Sequence, residues 1–126
     1  MLLNNFYTIT QLEHDSNSLQ AAIAFNATHD IFKGHFPGQP VVPGVCMVQI
    51  VKEFMEKATG TPLVFRKGNQ VKFLQLLIPA AGATVQVQIS WQPEAGGYIT
   101  RADFKRDTAT VFKLDGVFEE QAVTSI

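Results

Sequence analysis

Between Val85 and Gln92 every second residue is apolar: Val85, Val87, Ile89 and Trp91 alternate with Gln86, Gln88, Ser90 and Gln92. A period of two predicts a strand with one face buried and one wet. Leu19, Ala21, Ile23, Phe25 and Ala27 repeat the pattern, and Phe6 to Leu12 reads as a further strand. Gly96-Gly97 marks a turn, after which Tyr98 to Lys105 and Thr108 to Glu119 complete a hairpin or meander. Asp115-Gly116 has little chain beyond it, so it reads as a bulge in the last strand rather than a turn. Val64 to Ile78 is strand-like with an interruption near Lys67-Gly68-Asn69, and from Val71 it is apolar on both faces, as in a central strand.

One segment departs from the period of two. Gly44 to Thr59 carries Val45, Met47, Val48, Ile50, Val51, Phe54, Met55 and Ala58 at helical spacing, and Gly60 and Pro62 close it. A helix apolar around more than half its circumference must be buried broadly. Gln49, Lys52, Glu53, Glu56 and Lys57 form its narrow polar side at ~100° per residue. One long helix among five or six antiparallel strands is an α+β chain, and a strongly curved sheet around the helix would bury it.

Composition narrows the setting. The 126 residues suit one domain, are 46% hydrophobic and 17% charged, and carry a net charge of −1, so nothing favours nucleic acid. The apolar balance tilts toward an oligomer or a lipid-like ligand. A lone cysteine, Cys46, excludes an internal disulfide framework and fits a reducing compartment. The start of the chain lacks the basic and long apolar regions of a signal peptide. No apolar run approaches the ~20 residues of a membrane span. The expected setting is the cytoplasm, away from membranes.

The candidate chemistry sits just before the helix. In Gly34-His35-Phe36-Pro37-Gly38-Gln39-Pro40-Val41-Val42-Pro43-Gly44-Val45 a histidine stands in a loop stiffened by proline and leading into a helix N-terminus. Free N–H groups there favour negative charge, and a neutral imidazole beside them suits proton transfer. The plainer reading is that the prolines and glycines only turn the chain into the helix.

These residues resemble the 3-hydroxyacyl-acyl carrier protein dehydratases of the hot-dog fold. The match is densest over residues 29 to 60 and extends weakly to Lys72-Phe73 and Ile78-Pro79. The resemblance implies one central helix wrapped by a curved antiparallel sheet, a single domain over residues 1–126, and two protomers joined edge to edge around an acyl tunnel. It implies an acyl carrier protein or coenzyme A thioester as ligand, with no cofactor. His35 matches the histidine that exchanges the substrate α-proton. Gly44 matches the glycine whose N–H binds the thioester oxygen, and Phe36 and Val45 flank these positions as substrate contacts. The family's second catalytic residue is a Glu or Asp fourteen positions after the histidine, reaching over from the opposite protomer; here that residue is Gln49.

An amide cannot hand a proton to a departing hydroxyl as a carboxyl group can. Gln49 is left to hydrogen-bond that hydroxyl or a water, and Glu53, one turn further, is the one nearby acid that a rearranged site would use. Three states follow: an altered dehydratase homodimer, an acyl-thioester-binding subunit of a heterodimer with an acid-bearing homologue, or a hot-dog thioesterase whose Gln49 holds a water.

Other residues have plainer roles. His14 reads as surface, and His29 as a cap on the short segment Asp30 to Lys33. Cys46 lies in the first helical turn without a His/Asn set and reads as a small buried hydrophobe. Met47 and Met55 read as core or tunnel lining. Lys33, Arg66-Lys67, Lys72 and Arg101, Lys105 and Arg106 are ordinary solvated charges or a docking surface for an acidic carrier. No metal-ligand spacing or phosphate-binding glycine loop stands out.

Overall fold

A computed structural model describes residues 2–33, 40–80 and 83–121 of the chain. Its elements run β1 (Tyr7–His14), β2 (Ser18–Phe25), a 3-10 turn (Asp30–Lys33), α1 (Gly44–Thr59), β3 (Leu63–Phe73), β4 (Thr84–Glu94), β5 (Gly97–Arg106) and β6 (Ala109–Glu120). The strands form a six-stranded antiparallel sheet in the order β1-β2-β4-β5-β6-β3. This is the hot-dog arrangement, α+β, that the resemblance implies.

The alternation in β4 translates directly into burial. Val85, Val87, Ile89 and Trp91 are buried while the residues between them face solvent. The inward residues of β2, β4, β5 and β6 share one apolar cluster with Met47, Ile50, Val51, Phe54 and Met55 of α1. Each large apolar side chain so buried contributes about 1.5–3 kcal/mol. The helix spans the predicted range, Gly44–Thr59. It stops at Gly60, whose φ of 70° is the left-handed cap conformation that glycine adopts freely, with its N–H bonded to the Glu56 carbonyl. His29 caps the 3-10 turn as expected, its Nδ1 accepting from the Ile31 N–H at 3.1 Å.

Three expectations need correction. The segment from Val71 is not a central strand in the protomer. β3 ends at Phe73 and among the described residues pairs with β6 alone, which leaves it at the edge of the sheet, and the exposed Phe73, Leu74, Leu76 and Ile78 lie at its end and in the chain after it. Apolar residues on both faces thus mark a surface awaiting a cover rather than a strand flanked on both sides.

The irregularity near Asp115-Gly116 lies on the opposite strand. The β3–β6 register slips between Phe65 and Lys67 and between Gly68 and Gln70, putting the extra residues in β3, at the predicted Lys67-Gly68-Asn69 interruption. β6 carries its own slip further back, opposite Phe104 and Lys105. A side chain at Gly116 would run into the Lys67 carbonyl and the Phe65 ring, so glycine there allows the close approach that the bulges create.

The third correction is Glu53. It is buried rather than part of the wet side of the helix, and Val45, expected among the buried apolar residues, is 76% exposed. Gln49 is half-buried between these extremes.

Candidate active site

The first turn of α1 is open to a ligand. Pro43 precedes it with φ −62° and ψ 142°, and no side chain caps it. The Cys46 and Met47 N–H groups return to the Pro43 carbonyl at 3.0 and 3.4 Å. Among the described residues, the Gly44 and Val45 N–H groups have no partner. Free donors at the positive end of a helix favour an oxygen that gains negative charge.

The walls of this opening come from the chain after β3. The Val42 N–H donates to the Leu77 carbonyl at 2.8 Å and the Leu74 N–H to the Val111 carbonyl at 2.9 Å, fixing residues 74–77 between the helix entrance and β6. Arg106 donates to the Ile78 carbonyl and steadies the same stretch. The Phe73 ring lies against Gly44 and is backed by Phe112, 5.3 Å between centroids, and then Phe104, 5.2 Å further. The Cys46 thiol is buried in this turn, and burial pushes its pKa up. It is therefore the small hydrophobe expected, not an activated nucleophile.

Gln49 lies one turn beyond Val45, on the same helix face. Its Nε2 donates to Oε2 of Glu53 at 3.0 Å. Glu53 also accepts from the Leu2 N–H at 2.8 Å, the Leu3 N–H at 2.9 Å and the Tyr7 hydroxyl at 3.1 Å. Four donors converge on its two oxygens, so both are engaged as acceptors. The same contacts raise the Tyr7 phenol far above its ordinary range, through burial first, then the Glu53 charge and the hydrogen bond to it. Glu53 is thus committed to joining the N-terminal segment and β1 to the helix. It is not a substitute acid for position 49.

The structure places Gly44, Val45 and Gln49 in the first two turns of α1, with Val45 and Gln49 on adjoining positions of one face and Gly44 turned ~140° from Gln49 toward Phe73. His35 and Phe36 lie outside the described residues. Sequence reasoning missed the Glu53 network. The available signal was Tyr7 among apolar neighbours, since a buried phenol needs a hydrogen-bond partner. The roomier concavities described lie elsewhere. One of about 510 Å³ is lined by outward-facing residues, among them Ser90, Gln92, Arg101 and Asp115, and includes no candidate residue. Another of about 280 Å³ borders Leu3, Tyr7, Glu53, Glu56 and Lys57, behind the Gln49–Glu53 pair. Of the basic residues, Arg66 pairs with Glu119 at 2.8 Å and Arg101 with Asp115 at 3.0 Å. Among the described residues no group of acids, histidines or cysteine is arranged to hold a metal ion, and no helix is long and apolar enough to cross a membrane.

The chain is similar to known proteins. The family model described as ApeI-like, ApeI dehydratase, matches residues 11–113. The 3-hydroxyacyl-[acyl-carrier-protein] dehydratase FabZ of Clostridium acetobutylicum is 26% identical over 74 residues, 53% of this chain and 51% of that protein. FabZ of Oenococcus oeni is 31% identical over 67 residues, 48% of each. The chain therefore spans about half the length of the curated relatives it matches. A chain in the structure of the dehydratase heterocomplex ApeI:P from Xenorhabdus doucetiae superposes with a TM-score of 0.71 at 25% identity, covering 89% of this chain and 96% of that one.

Proposed function

The chain belongs to the ApeI-like dehydratase family, and from that premise we propose that it acts on a 3-hydroxyacyl thioester, borne by an acyl carrier protein or coenzyme A, and removes water to leave the 2-enoyl thioester. The observation that carries this reading is the pair of N–H groups at Gly44 and Val45 that have no partner among the described residues, at the head of a helix that holds Gln49 one turn further.

In this reading His35 takes the proton from C2, and the electrons of that C–H bond pass to the thioester oxygen. The Gly44 N–H stabilises the charge arriving there. The electrons then return to form the C2–C3 double bond as the C3–O bond breaks. His35 gives its proton to the leaving oxygen, and water departs. Gln49, supplied by the partner chain across a dimer, holds the hydroxyl while this happens. Residues 1–126 act as one hot-dog domain, Phe36 and Val45 contact the acyl thioester, and the setting is cytoplasmic. The free edge of β3 and the exposed apolar residues after it support a dimer built on that edge.

A second reading is favoured by the Gln49–Glu53 pair. With Gln49 unable to act as an acid and Glu53 fully engaged, a homodimer lacks a general acid, whose loss costs ~100- to 10,000-fold. Pairing with a homologue that bears Glu or Asp at the Gln49 position makes one complete site, with His35 from this chain and the acid from the partner. One solved relative is a chain of a dehydratase heterocomplex.

Enoyl-thioester hydration, the reverse reaction, separates these readings. The purified chain is expected to be slow, to gain rate with an acid-bearing homologue, and to lose that gain in His35→Ala. Full turnover by the chain alone removes the need for a partner. Failure to bind or turn over any acyl thioester, alone or paired, overturns the dehydratase reading itself.

A further inference from the structure

We propose that Glu53 is a positioning residue that decides which end of the Gln49 amide faces the ligand, and so makes position 49 select a 3-hydroxyl over a 3-oxo group. This rests on the reading of the site as one for acyl thioesters. An amide carries a donor end and an acceptor end, and either can face a ligand. Here the choice is made from behind. Glu53 offers only acceptors, and the Gln49 Nε2 donates to it at 3.0 Å. Among the described residues nothing donates to the Gln49 Oε1, which is left as the group available to a ligand.

The carboxylate cannot turn away to release the amide. The Leu2 and Leu3 N–H groups hold both its oxygens at 2.8 and 2.9 Å, and the Tyr7 hydroxyl reaches Oε1 at 3.1 Å. The groups around it are therefore the Tyr7 phenol from β1, two backbone donors from the N-terminal segment, and Glu56 and Lys57 along the neighbouring cavity wall. A substrate hydroxyl can donate to the Gln49 oxygen. A 3-oxo group would set two acceptors against each other, with no hydrogen between them.

The test compares the binding of two amide analogues of the thioester, N-(3-hydroxyoctanoyl) and N-(3-oxooctanoyl) aminopantetheine, which resist elimination. The full-length chain should bind the hydroxy compound about five- to tenfold more tightly, the ratio expected of one hydrogen bond made in place of one lost. In Glu53→Gln an oxygen at the Oε1 position still accepts from the Leu3 N–H and the Tyr7 hydroxyl, and the NH2 then takes the Oε2 position against Gln49, where the Leu2 N–H loses its acceptor. The Gln49 amide then reverses, and the preference should fall to unity or invert toward the oxo compound.

Tyr7→Phe is the control. It weakens the same network but leaves the Gln49–Glu53 bond, so both affinities should move together and their ratio should stay. A second measurement needs no Glu53 variant. In the amide NMR spectrum of the unaltered chain, one Gln49 side-chain proton, assigned by its loss in Gln49→Met, should be shifted downfield and slow to exchange. An unchanged hydroxy/oxo ratio in Glu53→Gln, a wild-type ratio near one, or two equivalent fast-exchanging Gln49 protons would overturn the proposal while leaving the thioester reading intact. Failure of the unaltered chain to bind either analogue overturns that reading, and this proposal with it.

Discussion

A methyl group built on Gly44 would lie 2.6 Å from the Phe73 ring. The first residue of the helix and the last residue of β3 therefore define one surface, and no side chain larger than hydrogen fits between them as they stand. Phe73 is 55% exposed, so its ring can swing outward at small cost to stability. Gly44→Ala should melt within a few degrees of the unaltered protein yet lose at least about tenfold in enoyl-thioester hydration, since displacements of ~1 Å at a reacting centre cost on that order or more. Combining it with Phe73→Leu, which removes the obstructing ring, should recover part of the rate. A Gly44→Ala chain with unaltered kinetics would remove the glycine from the site.

Stability at high pH should depend on Tyr7. Its phenol titrates at 10.0 in the unfolded chain and well above that when folded, with burial as the main cause. The raised folded pKa makes its contribution fully present below pH 10 and progressively lost above it, because the unfolded state sheds the proton first. The slope is about 1.4 kcal/mol per pH unit for one proton. Urea melts between pH 9 and 11 should be steeper in pH for the unaltered protein than for Tyr7→Phe. Equal slopes would mean that the phenol is not held protonated by its surroundings.

Removing Glu53 should cost much more than removing an exposed glutamate. Glu53→Ala strands the Leu2 and Leu3 N–H groups and the Tyr7 hydroxyl together, an expected loss of about 2–4 kcal/mol. Glu94→Ala, at an exposed position at the end of β4, should fall within about 0.5 kcal/mol of the unaltered chain. Denaturant midpoints measured at one pH compare the two directly.

How much of this was legible in sequence depends on how far apart the deciding residues lie. The helix was readable because Gly44, Gly60 and its apolar spacing sit within one short stretch, and β4 because its alternation is local. Glu53 was not, because three of its four donors lie 46 to 51 positions away and no helical wheel carries that information. The wheel puts Glu53 ~60° from Ile50, close enough to the buried face for tertiary contacts to decide. The irregularity near Gly116 belongs to β3 because a close approach between two strands constrains both, and the glycine lies on β6 opposite the bulged residues. In the candidate site, Gly44, Val45 and Gln49 share the helix that their spacing predicts. The roles of His35 and Phe36 rest on the loop motif.

The apolar surface beyond β3 should be the contact between protomers. Val45, Phe73, Leu74 and Leu76 are all exposed, Leu76 by 68%, next to β3, an edge strand of the sheet among the described residues. Large apolar side chains beside a free edge are an aggregation hazard unless a second chain covers them. Light scattering at micromolar concentration should give at least a dimer mass. Leu76→Asp introduces a charge where a partner would exclude water, and should shift that mass toward the monomer. Ile99→Asp, at an exposed position on β5 away from the free edge, should leave it unchanged. The Leu76→Asp monomer should also lose activity measured with an acid-bearing partner, because a site assembled from two chains cannot survive their separation. A monomeric unaltered chain would remove the proposed interface, and a Leu76→Asp variant that stays dimeric and active would place it elsewhere on the molecule.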